Sequence, residues 1–143
     1  LVPIVESSFP WGEDGAKVVP VRPPDGVAWG ALALPTSEDE ARERVLMAAA
    51  AFDGLARLHA AGVVHRRIDP GNLVVGKRSD GTPAVAFTDF LFARIEGTET
   101  IAAKLDAQGF GDPYAAPAIN RMESYAFADA SSEVYSLALV TLE

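Results

Sequence analysis

Apolar residues recur at helical spacing between positions 45 and 59, where Val45, Ala48, Phe52, Leu55 and Leu58 or His59 fall on one stripe. The stripe predicts a helix over 38–61. Ser37 and Glu40 have the spacing of a capping box at its start, and acidic residues crowd its first turn, as the helix dipole favours. Gly62 follows as the C-terminal stop, able to take a left-handed backbone conformation. Ahead of the helix the pattern is different. Residues 1–6, LVPIVE, form a β-branched run that reads as a strand, 9–15 hold Pro10, Gly12 and Gly15 and read as a loop, and 17–21 read as a second strand antiparallel to the first. Residues 22–26, Arg-Pro-Pro-Asp-Gly, read as a turn. After the helix, 73–75 and 85–88 are short apolar runs joined through an Asp80-Gly81 turn signal, which predicts a hairpin. Residues 94–113 carry Gly97, Gly109, Gly111, Thr98 and Thr100 and read as an exposed segment. A last helix begins near Ser131 and is still apolar at Leu142.

Composition narrows the classes. With 143 residues, 49% of them hydrophobic, the chain can bury a core of its own. A net charge of −8 argues against nucleic acid or an anionic membrane as partner. There is no cysteine, which fits a reducing, cytoplasmic setting, and the longest apolar run, 45–52, is far short of a membrane span.

The chemistry-bearing residues concentrate in 65–72, His-Arg-Arg-Ile-Asp-Pro-Gly-Asn. This stretch resembles the catalytic loop of protein kinases, H-R-D-L-x-x-x-N, with His65, Arg66, Ile68, Pro70 and Asn72 at matching positions. Three further stretches follow in the family's order. Asp89-Phe90-Leu91 is similar to the metal-binding D-F-G segment, Ala116-Pro117-Ala118 to the Ala-Pro-Glu segment, and 132–138, Ser-Glu-Val-Tyr-Ser-Leu-Ala, to the opening of the large buried helix. The resemblance implies an α+β, kinase-like fold truncated at both ends. Residues 1–26 would be a remnant of the small lobe, with two strands and the hinge, and 27–143 a partial large lobe. It further implies ATP and Mg²⁺ as ligands. Asn72 and Asp89 would hold the metal, Val19, Arg22 and Val74 would line the nucleotide site, and His65 would pack beneath Phe90. The implied partner is a protein substrate or a regulatory domain of the same larger protein.

Departures from the family pattern are as informative as the matches. Arg67 stands where the catalytic Asp belongs, and Asp69 where a phosphate-contacting Lys belongs. An arginine keeps its proton at any useful pH and cannot act as general base. Two arrangements are open. In one, Asp69 orients the acceptor hydroxyl while Arg67 contacts phosphate. In the other, Arg67 and Asp69 form a local ion pair and nothing is catalysed. Leu91 for Gly, Ala118 for Glu and Glu133 for Asp add to the picture of a degenerate member; Glu133 keeps the carboxylate that supports the loop but adds a methylene. The expectation is a kinase-like domain binding ATP–Mg with weak or absent phosphotransfer. An active atypical Ser/Thr or small-molecule kinase using Asp69, and an interaction module that binds no nucleotide, are the alternatives.

Overall fold

The computed structural model describes residues 25–96, 112–122 and 128–143, together with four short strands within the first 22 residues. The architecture is α+β, with small antiparallel sheets and three helices among the described residues. The four early strands are β1 (Ile4–Val5), β2 (Phe9–Trp11), β3 (Ala16–Val18) and β4 (Val21–Arg22). Here the structure corrects the sequence reading. Phe9–Trp11, expected as loop, pairs with Ala16–Val18, and of the strand expected at 17–21 only Val21, in β4, pairs antiparallel with β1. Both are two-stranded ribbons, in which every strand is an edge, so Pro10 can sit opposite Lys17 despite having no N–H to donate. Flanking Phe9 and Trp11 supply the aromatic strand preference that the turn residues obscured. Val19, Pro20, Pro23 and Pro24, which carry part of the expected nucleotide site and hinge, lie outside the described residues.

A three-stranded antiparallel sheet and two helices build the core. β5 (Val27–Ala28), unanticipated, pairs with β7 (Leu73–Lys77), which pairs in turn with β8 (Pro83–Phe87). The β7–β8 turn is held by Asp80, whose Oδ1 accepts from the Thr82 N–H at 2.9 Å, and Gly81 takes a φ of +81°. At the other edge β5 runs so close to β7 that a Cβ on Gly76 would lie 2.7 Å from the Asp25 carbonyl oxygen. Gly76→Ala should therefore cost about 1–3 kcal/mol, the usual penalty for forcing atoms into a packed site. A urea midpoint unchanged by this substitution would show that β5 is not held against β7.

The helix α1 (Glu38–Ala60) lies across this sheet. Its start is capped by Ser37, whose Oγ accepts from the Glu40 N–H at 3.2 Å. The reciprocal half of the expected capping box is displaced by one residue. The Glu40 carboxylate accepts from the Thr36 N–H at 2.6 Å and the Thr36 hydroxyl at 2.8 Å, which hold it below the usual carboxylate pKa. The buried face is also shifted from the predicted stripe. Ala51 and Leu55 are fully buried, Met47, Ala48, Phe52 and Leu58 pack around them, and Val45 is 66% exposed. Gly62 ends the helix at φ +72°, with its N–H on the His59 carbonyl at 2.9 Å. From there β6 (Val63–Val64) pairs with β9 (Arg94–Ile95), so residues expected to open an exposed segment are instead tied to the end of the helix. Most of that segment, 97–111, lies outside the described residues.

Two helices complete the described fold, α2 (Pro117–Met122) and α3 (Ala130–Leu142). α3 starts at a capping box formed by Asp129 and Ser132, and it contributes Leu137 and Val140 to the core around Trp29, Leu55, Leu73 and Phe87. No described helix is long and apolar enough to cross a membrane.

Candidate functional site

The loop between β6 and β7 owes its shape to alternating burial. His65, Arg66 and Ile68 point inward, at 0%, 5% and 4% exposure, whereas Arg67 is exposed and Asp69 half-buried. The apolar Ile68 side chain thus anchors the loop in the core and presents its two charged neighbours outward. Arg66 has a φ of +70°, a left-handed conformation that costs a non-glycine residue about 1–3 kcal/mol unless its surroundings hold it. What holds it is Glu133 on α3. One carboxylate oxygen, Oε1, accepts from the Arg66 backbone N–H, and Oε2 bonds His59 Nε2 at 2.7 Å. Glu133 is 2% exposed, so a single carboxylate joins α1, the loop and α3 inside the protein.

His65 is fixed from both sides. Its Nε2–H donates to the Thr88 carbonyl at 2.8 Å, its Nδ1 accepts from the Arg67 N–H at 3.3 Å, and its ring meets Phe90 with centroids 4.6 Å apart. One ring nitrogen faces an acceptor and the other a donor, so the ring serves as a neutral, single-tautomer bracket. Burial pushes its pKa below the ordinary value of 6.5, against the upward pull of the Thr88 carbonyl and the Glu133, Asp89 and Asp69 carboxylates. The unfolded chain takes up a proton near 6.5 that the folded chain resists. This share of stability is complete above that pH and is lost as pH falls through 6.5 toward the lower folded value. Its slope is at most about 1.4 kcal/mol per pH unit. Urea titrations at pH 7.5 and 5.0 should show the loss in the parent and a smaller one in His65→Gln; equal losses would assign the acid sensitivity to other groups.

The hairpin closes the site. The Thr88 N–H donates to the Asn72 carbonyl at 2.9 Å, which brings the beginning of β7 beside the residue that follows β8. The next residue, Asp89, has φ +59° and ψ +61°, a left-handed conformation that Asp tolerates better than most residues. It caps the 3₁₀ turn Phe90–Phe92 without a side-chain capping bond, and its carboxylate is 42% exposed.

Four of the candidate residues are brought together, with Arg67 as the link. Arg67 Nε lies 3.5 Å from Asp69 Oδ2, and Arg67 Nη1 lies 3.9 Å from Asp89 Oδ2. These are ion-pair contacts, longer than good hydrogen bonds. The guanidinium carbon also stands 5.4 Å from the centroid of the Phe92 ring, a cation–π contact that nothing in the sequence signalled. Asp69 is occupied in both oxygens. Oδ1 accepts from the Gly71 N–H at 2.8 Å and the Asn72 N–H at 3.0 Å, while Oδ2 accepts from Asn72 Nδ2 at 2.9 Å. Asn72 Nδ2 also reaches the Arg67 carbonyl at 3.4 Å. The loop is therefore braced by its own acid and amide. Of the nucleotide-site candidates, Val74 sits in the central strand between Ala28 and Ala86, Arg22 is in β4, and Val19 lies outside the described residues.

A magnesium ion would draw on Asn72 and Asp89, and the arrangement does not suit it. Asp89 already faces the guanidinium, a cation that cannot be neutralised, and magnesium seeks one or two carboxylates in a near-octahedral oxygen shell. No three His, Asp or Glu side chains converge as a metal cluster among the described residues.

No family model matches the chain. Over 62 residues it is 39% identical to a protein of Bifidobacterium longum (strain NCC 2705) named "Probable serine/threonine-protein kinase pknA2". The match covers 43% of this chain and 8% of that protein, so the similarity is to a small part of a kinase-named relative.

Proposed function

We propose that the chain is part of a protein-kinase-like domain that binds ATP and has weak or absent phosphotransferase activity. Residues 1–26 would come from the small lobe and 27–143 from the large lobe. The observation that carries the reading is the meeting of residues far apart in sequence. Glu133 holds the backbone of Arg66 from beneath, and Arg67, Asp69, Asn72 and Asp89 form one linked surface above it. The kinase-named relative from Bifidobacterium longum supports the same reading.

Weak or absent transfer follows from how the two central residues are used. Arg67 cannot accept a proton, and Asp69 is engaged by three N–H donors and the guanidinium, which leaves no lone carboxylate aimed at an acceptor hydroxyl. The local ion pair thus fits better than the arrangement in which Asp69 does the base's work. The partner would be a protein substrate or a regulatory domain of the same larger protein.

The test is thermal unfolding of the full-length protein with and without ATP. A ligand at 100 times its Kd stabilises the folded state by about 2.7 kcal/mol. ATP should therefore raise Tm by several degrees, in a concentration-dependent way. No shift with any nucleotide, with or without magnesium, would leave a protein-interaction module as the better account.

A further inference from the structure

We propose that the Arg67 guanidinium takes the place of a divalent cation in this site, so that a nucleoside triphosphate binds there without magnesium. The inference rests on the nucleotide-binding reading above and concerns how that site handles charge. Asp69 and Asp89 come from two different segments, and a metal ion would be the ordinary means of joining them to a triphosphate. Here a fixed cation already lies between them, 3.5 Å from one carboxylate and 3.9 Å from the other. The Phe92 ring at 5.4 Å flanks it and favours a cation at that spot.

Three properties of the guanidinium make it a replacement rather than an incidental neighbour. It keeps its charge at every working pH, so neither acid nor a chelator removes it. Two of its nitrogens, Nε and Nη1, face the carboxylates. A planar fork held in this way offers N–H donors to phosphate oxygens in the geometry that arginine suits best. Finally, it repels a divalent ion. A unit positive charge about 5 Å from such an ion lowers its affinity on the order of tenfold even at the dielectric of water. Removing that charge while keeping Asp69 and Asp89 should uncover a metal site that the parent lacks.

Manganese is the probe, read by the loss of its free-ion electron paramagnetic resonance signal, in the full-length protein and without nucleotide. Arg67→Ala should bind Mn²⁺ about tenfold more tightly than the parent or more. Arg67→Lys, which keeps the charge, should stay near the parent, and adding Asp89→Asn to Arg67→Ala should remove the gain. Arg67→Gln serves in place of Arg67→Ala if the alanine variant does not fold. A parent that binds Mn²⁺ as tightly as Arg67→Ala overturns the proposal. So does a gain shared by Arg67→Lys, or one that survives Asp89→Asn.

A second arm measures binding of a fluorescent ATP analogue in EDTA and in Mg²⁺. The parent should change less than about threefold between the two, while Arg67→Ala should bind well only with the metal, since nothing else would then bridge carboxylates and phosphates. A parent that needs magnesium overturns the proposal. If no variant binds the analogue in either condition, the nucleotide reading falls, and the manganese titration still decides whether Arg67 stands in for the ion.

Discussion

Glu133→Ala should lower stability by about 3 kcal/mol, the scale of breaking a buried polar pair by removing one partner. Two groups lose their acceptor at once. The Arg66 N–H is buried under the loop, and His59, a residue of α1, is mostly buried beside it. An unsatisfied buried donor alone costs about 1–3 kcal/mol. The Arg66 backbone is also left-handed, and the change removes the carboxylate that accepts from its N–H. Glu133→Gln keeps an oxygen for the Arg66 N–H and should cost less than the alanine change. Denaturant midpoints for both variants check this, with constant m-values showing that cooperativity is intact. A loss below about 0.5 kcal/mol in Glu133→Ala, the scale of an ordinary surface substitution, would mean that the loop is held by Ile68 and His65 instead.

Parts of this arrangement were legible in the residues, for definite physical reasons. Ser37 and Gly62 bracket α1 because capping and left-handed termination are local chemistry. Asp80-Gly81 marks the hairpin turn on the same grounds. His65 against Phe90 and Glu133 beneath the loop were expected from the resemblance and are present in the geometry. What escaped depends on tertiary placement. Val45 has the helical period of the buried stripe but is 66% exposed, because the core forms on Ala51 and Leu55 with Met47 packed against it. Glu40 bonds Thr36, whose N–H and hydroxyl both reach one carboxylate oxygen, in place of the Ser37 N–H that a capping box would use. The sequence suggested a pair between Arg67 and Asp69. It carried no sign that the left-handed turn at Asp89 would bring a second carboxylate to the same guanidinium.

Phosphate transfer from labelled ATP by the full-length parent should not exceed that of an Asp89→Asn control, and the double change Arg67→Asp with Asp69→Lys should raise it by roughly 10²–10⁴-fold, the usual worth of a positioned acid or base. The exchange removes a permanent cation from the position expected to hold the base and returns a cation two residues later, where phosphate charge develops. It also removes the acceptor for Gly71, Asn72 and the Asn72 side chain. Gly71 is exposed, so water replaces part of what is lost, and circular dichroism will show whether the loop's host domain stays folded. Asp69→Asn is the informative companion. Its amide oxygen can still accept from the Gly71 and Asn72 N–H groups, while the bond from Asn72 Nδ2 to Oδ2 and the partly exposed ion pair to Arg67 are lost, at a cost on the order of 1–2 kcal/mol. Turnover should be unaffected by it. A parent with robust activity that Asp69→Asn cuts by 10² or more would make Asp69 the base after all. Robust activity indifferent to Asp69→Asn would place the base outside this loop.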